Sequence, residues 1–127
     1  MSLATKMYIK SGTVVPCVNR AAEADLADLQ TKSLSFEAAR KLVMAGEAPS
    51  LFVFVENSTK LLKQIPNLQQ LWRDKVTFWL FYPKAPHLKT DLGRDKTWEI
   101  MKKNGMSGTR QVGIDQLWSC IYFKNKD

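Results

Sequence analysis

Apolar positions divide the chain into segments of two kinds. Val76 to Tyr82 (VTFWLFY) carries a single polar residue, Thr77, and Ser50 to Val55 (SLFVFV) is equally free of alternation. A strand with one wet face alternates in hydrophobicity, whereas a strand covered on both faces does not. Both runs are therefore predicted as parallel strands lying side by side within a sheet, with helices on either side. Pro83 ends the later strand, because proline has no N–H for the ladder and holds Tyr82 extended. Thr13 to Val18 is β-branched and predicts the first strand. Pro16 within it costs a ladder bond, so this strand is expected at an edge, bulged or broken.

The helical segments have a longer period. After Asn19-Arg20-Ala21-Ala22, the stretch to Gln30, rich in Ala, Asp and Leu, predicts a helix. Phe36, Ala39, Leu42 and Val43 form a helical stripe over Phe36 to Ala45, capped by Ser35 and stopped by Gly46. A short helix is expected from Asn57 or Ser58 through Ile65, broken at Pro66 and resumed for a turn or two through Leu68, Leu71 and Trp72. Leu92 to Asn104 predicts a helix capped by Asp91 or Thr90 and closed by Gly105. A minor strand is weakly signalled between Thr31 and Phe36. Gln111 to Ile114 and Leu117 to Phe123 read as an antiparallel hairpin joined at Asp115-Gln116. Strands alternating with helices argue a single α/β domain of three layers, its sheet largely parallel and its crossovers right-handed, with the final strand antiparallel. Residues 1–6 are expected as a flexible start, or one added for expression.

Composition narrows the class. The 127 residues suit one core, and 45% hydrophobic with 24% charged is an ordinary globular balance. No apolar run approaches the ~18 residues of a bilayer span, so no membrane partner is expected. Met1 to Lys10 lacks a basic start followed by an apolar core, so no signal peptide is expected. Cys17 and Cys120 fall in predicted strands outside any metal or redox spacing and read as buried free thiols. Together these features predict a cytoplasmic protein. The formal charge of +7, from 19 Lys and Arg against 12 Asp and Glu, favours anionic partners in general. The cations are dispersed, however, without a basic block or a nucleic-acid-binding motif, which argues for solubility and disfavours nucleic acid.

Chemistry-bearing residues collect after the central strand. In open parallel sheets ligands sit outside the carboxyl ends of the strands. Tyr82 and Lys84 arrive there from the strand, Lys89 from the loop, and Asp91, Arg94 and Asp95 from the helix start. The candidate is a small anion site held by Lys84, Lys89 and Arg94 with free N–H groups at the helix start. A plainer account competes and is the stronger: Asp91 caps the helix, Asp95 pairs with Arg94 or Lys96, and Arg94 covers Trp98. Asp115 and Trp118 form a weaker candidate surface patch, against a hairpin-stabilising Asp115 and a core Trp118. His87, the sole histidine, reads as an exposed loop residue. No catalytic constellation, metal set or glycine-rich cofactor loop is present, so no catalytic residue, metal or cofactor is assigned.

The segments Tyr82-Pro83-Lys84, Lys89-Thr90-Asp91-Leu92-Gly93-Arg94-Asp95, Arg110-Gln111-Val112-Gly113-Ile114-Asp115 and Trp118-Ser119 carry a resemblance. Together they are similar to a family of small bacterial domains of unknown function with a YPK / tDLnRD / RQVaiDdxWSaLRF signature. The likeness covers roughly the last 50 residues, and departs at Gly93, Gly113 and Gln116. It departs again at Ser119 to Tyr122, where Tyr122 replaces an arginine of the pattern. What it implies is a Rossmann-like, methyltransferase-like fold, a parallel sheet closed by an antiparallel hairpin, with no implied activity. A methyltransferase of that fold needs a glycine-rich turn after its first strand, and Asn19-Arg20-Ala21-Ala22 supplies none. The expectation is a non-catalytic binding or interaction module on a degenerate methyltransferase-like scaffold, with a small anionic ligand. The alternatives are an enzyme, a relict S-adenosylmethionine-dependent methyltransferase, and a nucleic-acid accessory protein. A hairpin at the sheet edge ending in Leu117, Ile121 and Phe123 offers a homodimer contact.

Overall fold

A computed structural model describes residues 2–85 and 90–127. It is a mixed α/β structure with the elements α1 (Leu3–Lys6), β1 (Val14–Val18), β2 (Gln30–Ser33), α2 (Phe36–Met44), β3 (Leu51–Phe54), α3 (Ser58–Arg73), β4 (Phe78–Pro83), α4 (Gly93–Lys103), β5 (Gly108–Gly113) and β6 (Trp118–Phe123). The six strands form one sheet in the order β2-β1-β3-β4-β6-β5. β2, β1, β3 and β4 run parallel, and β6 runs antiparallel to both neighbours. Among the described residues no helix is long and apolar enough to cross a membrane.

β3 and β4 pair in parallel, Leu51 beside Phe78 through Phe54 beside Phe81, and every residue of both strands is buried. Their side chains alternate between two apolar clusters. Leu51, Val53, Phe78, Leu80 and Tyr82 join Ala39 of α2, Leu61, Ile65, Leu68 and Leu71 of α3, and Met101 of α4. Phe52, Phe54, Trp79 and Phe81 join Trp118 and Cys120 on the other side, under Ala4, Met7, Ile9, Ala21, Ala24 and Leu26. The expected helical cover is therefore present on one face only. The second face is closed by the one-turn α1 and by residues 19–29, which form turns. Small alanines there meet large aromatics on the sheet, so the rings fill the space that a helix would otherwise occupy.

Residues 19–29 correct the helix expected after Ala22 and up to Gln30. Ala27 has a left-handed backbone, φ +52, which no α-helix accommodates. The local hydrogen bonds go elsewhere. The Arg20 guanidinium donates to the carbonyls of Ala21 and Ala24, and Asp25 Oδ1 accepts from Ala27 N at 3.0 Å. Helix propensity loses to these side-chain bonds and to the burial of Ala21, Ala24 and Leu26.

Other expectations change in instructive ways. β1 is an interior strand despite Pro16, because its ladder to β3 starts only at Cys17, one residue later. α3 runs unbroken through Pro66. The carbonyl that Pro66 leaves unbonded belongs to Leu62, which is 56% exposed, while Leu61, Ile65, Leu68 and Leu71 pin the buried side above and below. The start of the chain is built in: Ser2 caps α1, and Ala4 is buried. The proposed dimer contact is lost, because β6 is flanked on both sides and Ile121 and Phe123 are fully buried. The edge strand on this side of the sheet is β5, whose only buried residue is Val112. Cys17 and Cys120 are buried free thiols.

Gly108 starts β5 where the ladder to β6 slips by a bulge. A Cβ at this position would lie 2.5 Å from Ile121 Cγ2 and 2.8 Å from two ring carbons of Trp98. Overpacking of this kind costs roughly 1–3 kcal/mol. Gly108→Ala is expected to lower the urea midpoint by about 1 M at unchanged slope, and an unshifted midpoint contradicts the packing argument.

Candidate functional site

Two clefts open along the carboxyl edge of the parallel strands. The first, of about 590 Å³, is lined by Tyr82, Lys84, Ala85, Leu92, Gly93, Arg94, Asp95, Lys96 and Gln111. It gathers four of the sequence-predicted site residues: Tyr82, Lys84, Arg94 and Asp95. Lys89 and His87 lie outside the described residues. Tyr82 is buried and its hydroxyl accepts from Gln111 Nε2 at 3.0 Å. Burial pushes that hydroxyl upward from 10.0, against a hydrogen bond with Ser119. Arg94 Nε pairs with Asp95 Oδ1 at 3.1 Å, both side chains mostly in water, where such pairs contribute little.

Lys84 is already engaged. Its Nζ donates to the Asp115 carbonyl at 2.6 Å, and its backbone N to Leu117 O at 2.8 Å. Asp115 in turn accepts at Oδ1 from Leu117 N (2.8 Å) and Trp118 N (2.7 Å), closing the hairpin turn. Its Oδ2 accepts from Asp25 N at 2.9 Å, tying that turn to residues 19–29. Burial alone would raise this carboxyl, but the three backbone donors and the Lys84 charge prevail and hold it below 3.8. Trp118 is fully buried beside Phe54, so the weaker surface patch does not exist as a surface.

Asp91 is not a cap of α4. It lies against the start of α3, where its carboxylate accepts from Ser58 Oγ and from Ser58 N at 2.8 Å, with Lys96 Nζ at 3.4 Å. A negative charge there complements the positive end of α3. α4 begins without a side-chain cap, and Thr90 bridges the gap, accepting from Leu92 N at 3.1 Å and donating to Glu56 O at 2.8 Å.

The second cleft, about 520 Å³, lies at the ends of β1, β2 and β3 and is lined by Asn19, Arg20, Leu34, Phe54, Glu56, Lys60, Lys63 and neighbours. The chain turns from β1 outward to β2 and then returns to β3 on the other side of β1, so this is where the strand order reverses. Such crevices are the favoured ligand positions of open α/β sheets. The Arg20 guanidinium lies 5.9 Å over the Phe54 ring. Lys60 pairs with Glu56 at 3.3 Å in an exposed contact, and Lys63 makes no ion pair among the described residues. Burial pushes the Cys17 thiol up to about 12 against the pull of Arg20, so it offers no thiolate at neutral pH.

Sequence reasoning misses Arg20, Lys60 and Lys63. The signal for them is positional: a cation just after the first strand and two more soon after the second buried strand. Recognising their convergence requires knowing that those two strands are neighbours. Among the described residues no group of three or more His, Cys, Asp and Glu stands together to hold a metal ion. Comparison with protein-family models and with curated proteins finds no match to this chain.

The Ser58 hydroxyl and N–H, and then Lys96, pull the Asp91 carboxyl from 3.8 down to about 2. A carboxyl depressed by folding stabilises the fold fully above its unfolded value and loses that contribution as pH falls through the folded one. Asp91→Asn is thus expected to melt below wild type by a constant margin at neutral and weakly acidic pH. The margin narrows between about pH 4 and pH 2, and thermal melts across that range check it.

Proposed function

We propose that the protein is a non-catalytic binding module on a degenerate methyltransferase-like scaffold, taking a small phosphate- or carboxylate-bearing ligand in the crevice between β1 and β3. The strand order, with a final strand inserted antiparallel beside β4, supports the scaffold. The observation that carries the reading is the conformation of the chain just after β1. A cofactor-binding sheet of this type places a glycine turn and a helix N-terminus there, so that backbone N–H groups reach the ligand. Here Asn19 and Arg20 come directly after the strand, and turns rather than a helix cover residues 19–29. These residues do not fit S-adenosylmethionine held in the usual way.

Side chains take over the role of the missing helix end. Arg20 is fixed over Phe54 by its bonds to Ala21 and Ala24, and Lys60 and Lys63 face it from the first turns of α3. Glu56 reduces the net charge of the crevice and meets Lys60 in an exposed pair that contributes little. The arrangement can attract and position an anion. The Cys17 thiol, raised by burial, stays protonated at neutral pH and is no ready nucleophile.

Titration with inorganic phosphate and with adenosine monophosphate, monitored by calorimetry, tests the proposal. The double variant Lys60→Ala/Lys63→Ala is expected to weaken binding at least tenfold, since charge-assisted hydrogen bonds contribute roughly 1.5–3 kcal/mol each. Arg94→Ala, in the other cleft, is expected to bind as wild type. Loss on Arg94→Ala alone moves the site to the first cleft, and no binding by wild type ends the proposal.

A further inference from the structure

We infer that the face formed by Tyr8, Arg110, Tyr122, Lys124 and Lys126 binds single-stranded nucleic acid. It lies away from both clefts, where β4 begins and β6 ends, beside the paired residues Trp79 and Tyr122. Tyr8, Thr109, Tyr122, Lys124 and Lys126 line a third groove of about 490 Å³. Two of its lining side chains are aromatic: Tyr8 and Tyr122 have ring centroids 5.1 Å apart, and Tyr122 packs with its centroid 4.6 Å from that of the fully buried Trp79. Arg110 holds its guanidinium 5.4 Å over the Tyr8 ring, fixed by its Nε donating to Lys6 O at 3.1 Å. Among the described residues neither Lys6, Arg110, Lys124 nor Lys126 makes an ion pair, and Asp127 is the one acidic residue of the segment after β6.

Tyr8 is also unusual in its backbone. It is 56% exposed and has φ +59, just past the end of α1. That is a position where glycine closes a helix without strain and a bulky side chain does not. The fold thus presents a large ring to solvent in a backbone conformation that disfavours it. Strain of this kind collects at functional positions. One exposed ring, Tyr8, beside the half-buried Tyr122 and flanked by cations without ion pairs, matches the chemistry of a single strand, whose bases stack on aromatics while its phosphates meet Lys and Arg. A lipid surface would call instead for an apolar helical face with cations beneath it, which this groove does not have.

Fluorescence anisotropy with labelled thymidine and uridine oligonucleotides of about 20 nucleotides tests the inference across a salt series starting near 50 mM. Wild type is expected to bind both, with log affinity falling linearly in log salt. Lys124→Gln/Lys126→Gln is expected to flatten that slope by about 1.4, at roughly 0.7 per phosphate contact. Tyr8→Gly suits the local backbone and is expected to bind about tenfold more weakly while still melting cooperatively, whereas Tyr8→Phe keeps the stacking face and binds as wild type. The inference is overturned if wild type does not bind, if either the Lys or the Tyr8→Gly change leaves binding unaltered, or if phosphatidylserine vesicles are bound and the oligonucleotides are not.

Discussion

β3 and β4 have no wet face, and the architecture is the set of covers that this demands. Nine residues, Leu51–Phe54 and 78–82, send side chains alternately up and down into two apolar clusters. Fully burying each large apolar side chain contributes roughly 1.5–3 kcal/mol, so both faces must be kept dry for the pair to be stable. Parallel pairing reinforces the demand, because the chain must leave the sheet and cross back between β3 and β4, and α3 is that crossing. A proline in the middle of α3 is tolerated for the same reason. The four buried residues on its inner side hold the helix to the sheet more firmly than one missing hydrogen bond loosens it.

The two covers differ in thickness, and that difference shapes the carboxyl edge. Three helices lie over one face, while on the other a one-turn helix and residues 19–29 lie close against Phe52, Phe54, Trp79, Phe81 and Trp118. With no helix after β1, the carbonyls of that segment need other donors, and the Arg20 guanidinium donates to two of them. Asp115 supplies the complementary acceptor for Asp25 N, so the hairpin turn and the thin cover stabilise each other. Lys84 closes this network by donating to the Asp115 carbonyl, which is why a lysine at the end of β4 is structural before it is anything else.

Strands are the legible part of the chain. SLFVFV and VTFWLFY show their burial in composition alone, and the hairpin declares itself through two extended runs around Asp115. The helix expected between Ala22 and Gln30 fails to form because alanine propensity is a weak prior, and nothing in the local sequence announces that Arg20 will take the carbonyls. Asp91 illustrates a different limit. Its position before an apolar stripe reads as a cap for the next helix, yet it binds Ser58, 33 residues earlier, at the start of another helix. Local patterns identify a carboxylate able to accept N–H bonds, but the packing decides which helix provides them.

Charge obeys the same rule with larger consequences. Along the chain the cations look evenly spread, because only neighbours in sequence can be counted there. The sheet order β4-β6-β5 brings the end of β6 next to the start of β5, and α1 folds across that corner. Residues 8, 110, 122, 124 and 126 thereby become a single surface, although the first lies nearly a whole chain length from the last. Electrostatic attraction acts over about 10 Å at moderate salt, so proximity in space, not in sequence, sets what partner such a surface attracts. A dispersed +7 is therefore compatible with a concentrated one, and the topology of a mixed sheet is what converts the first into the second.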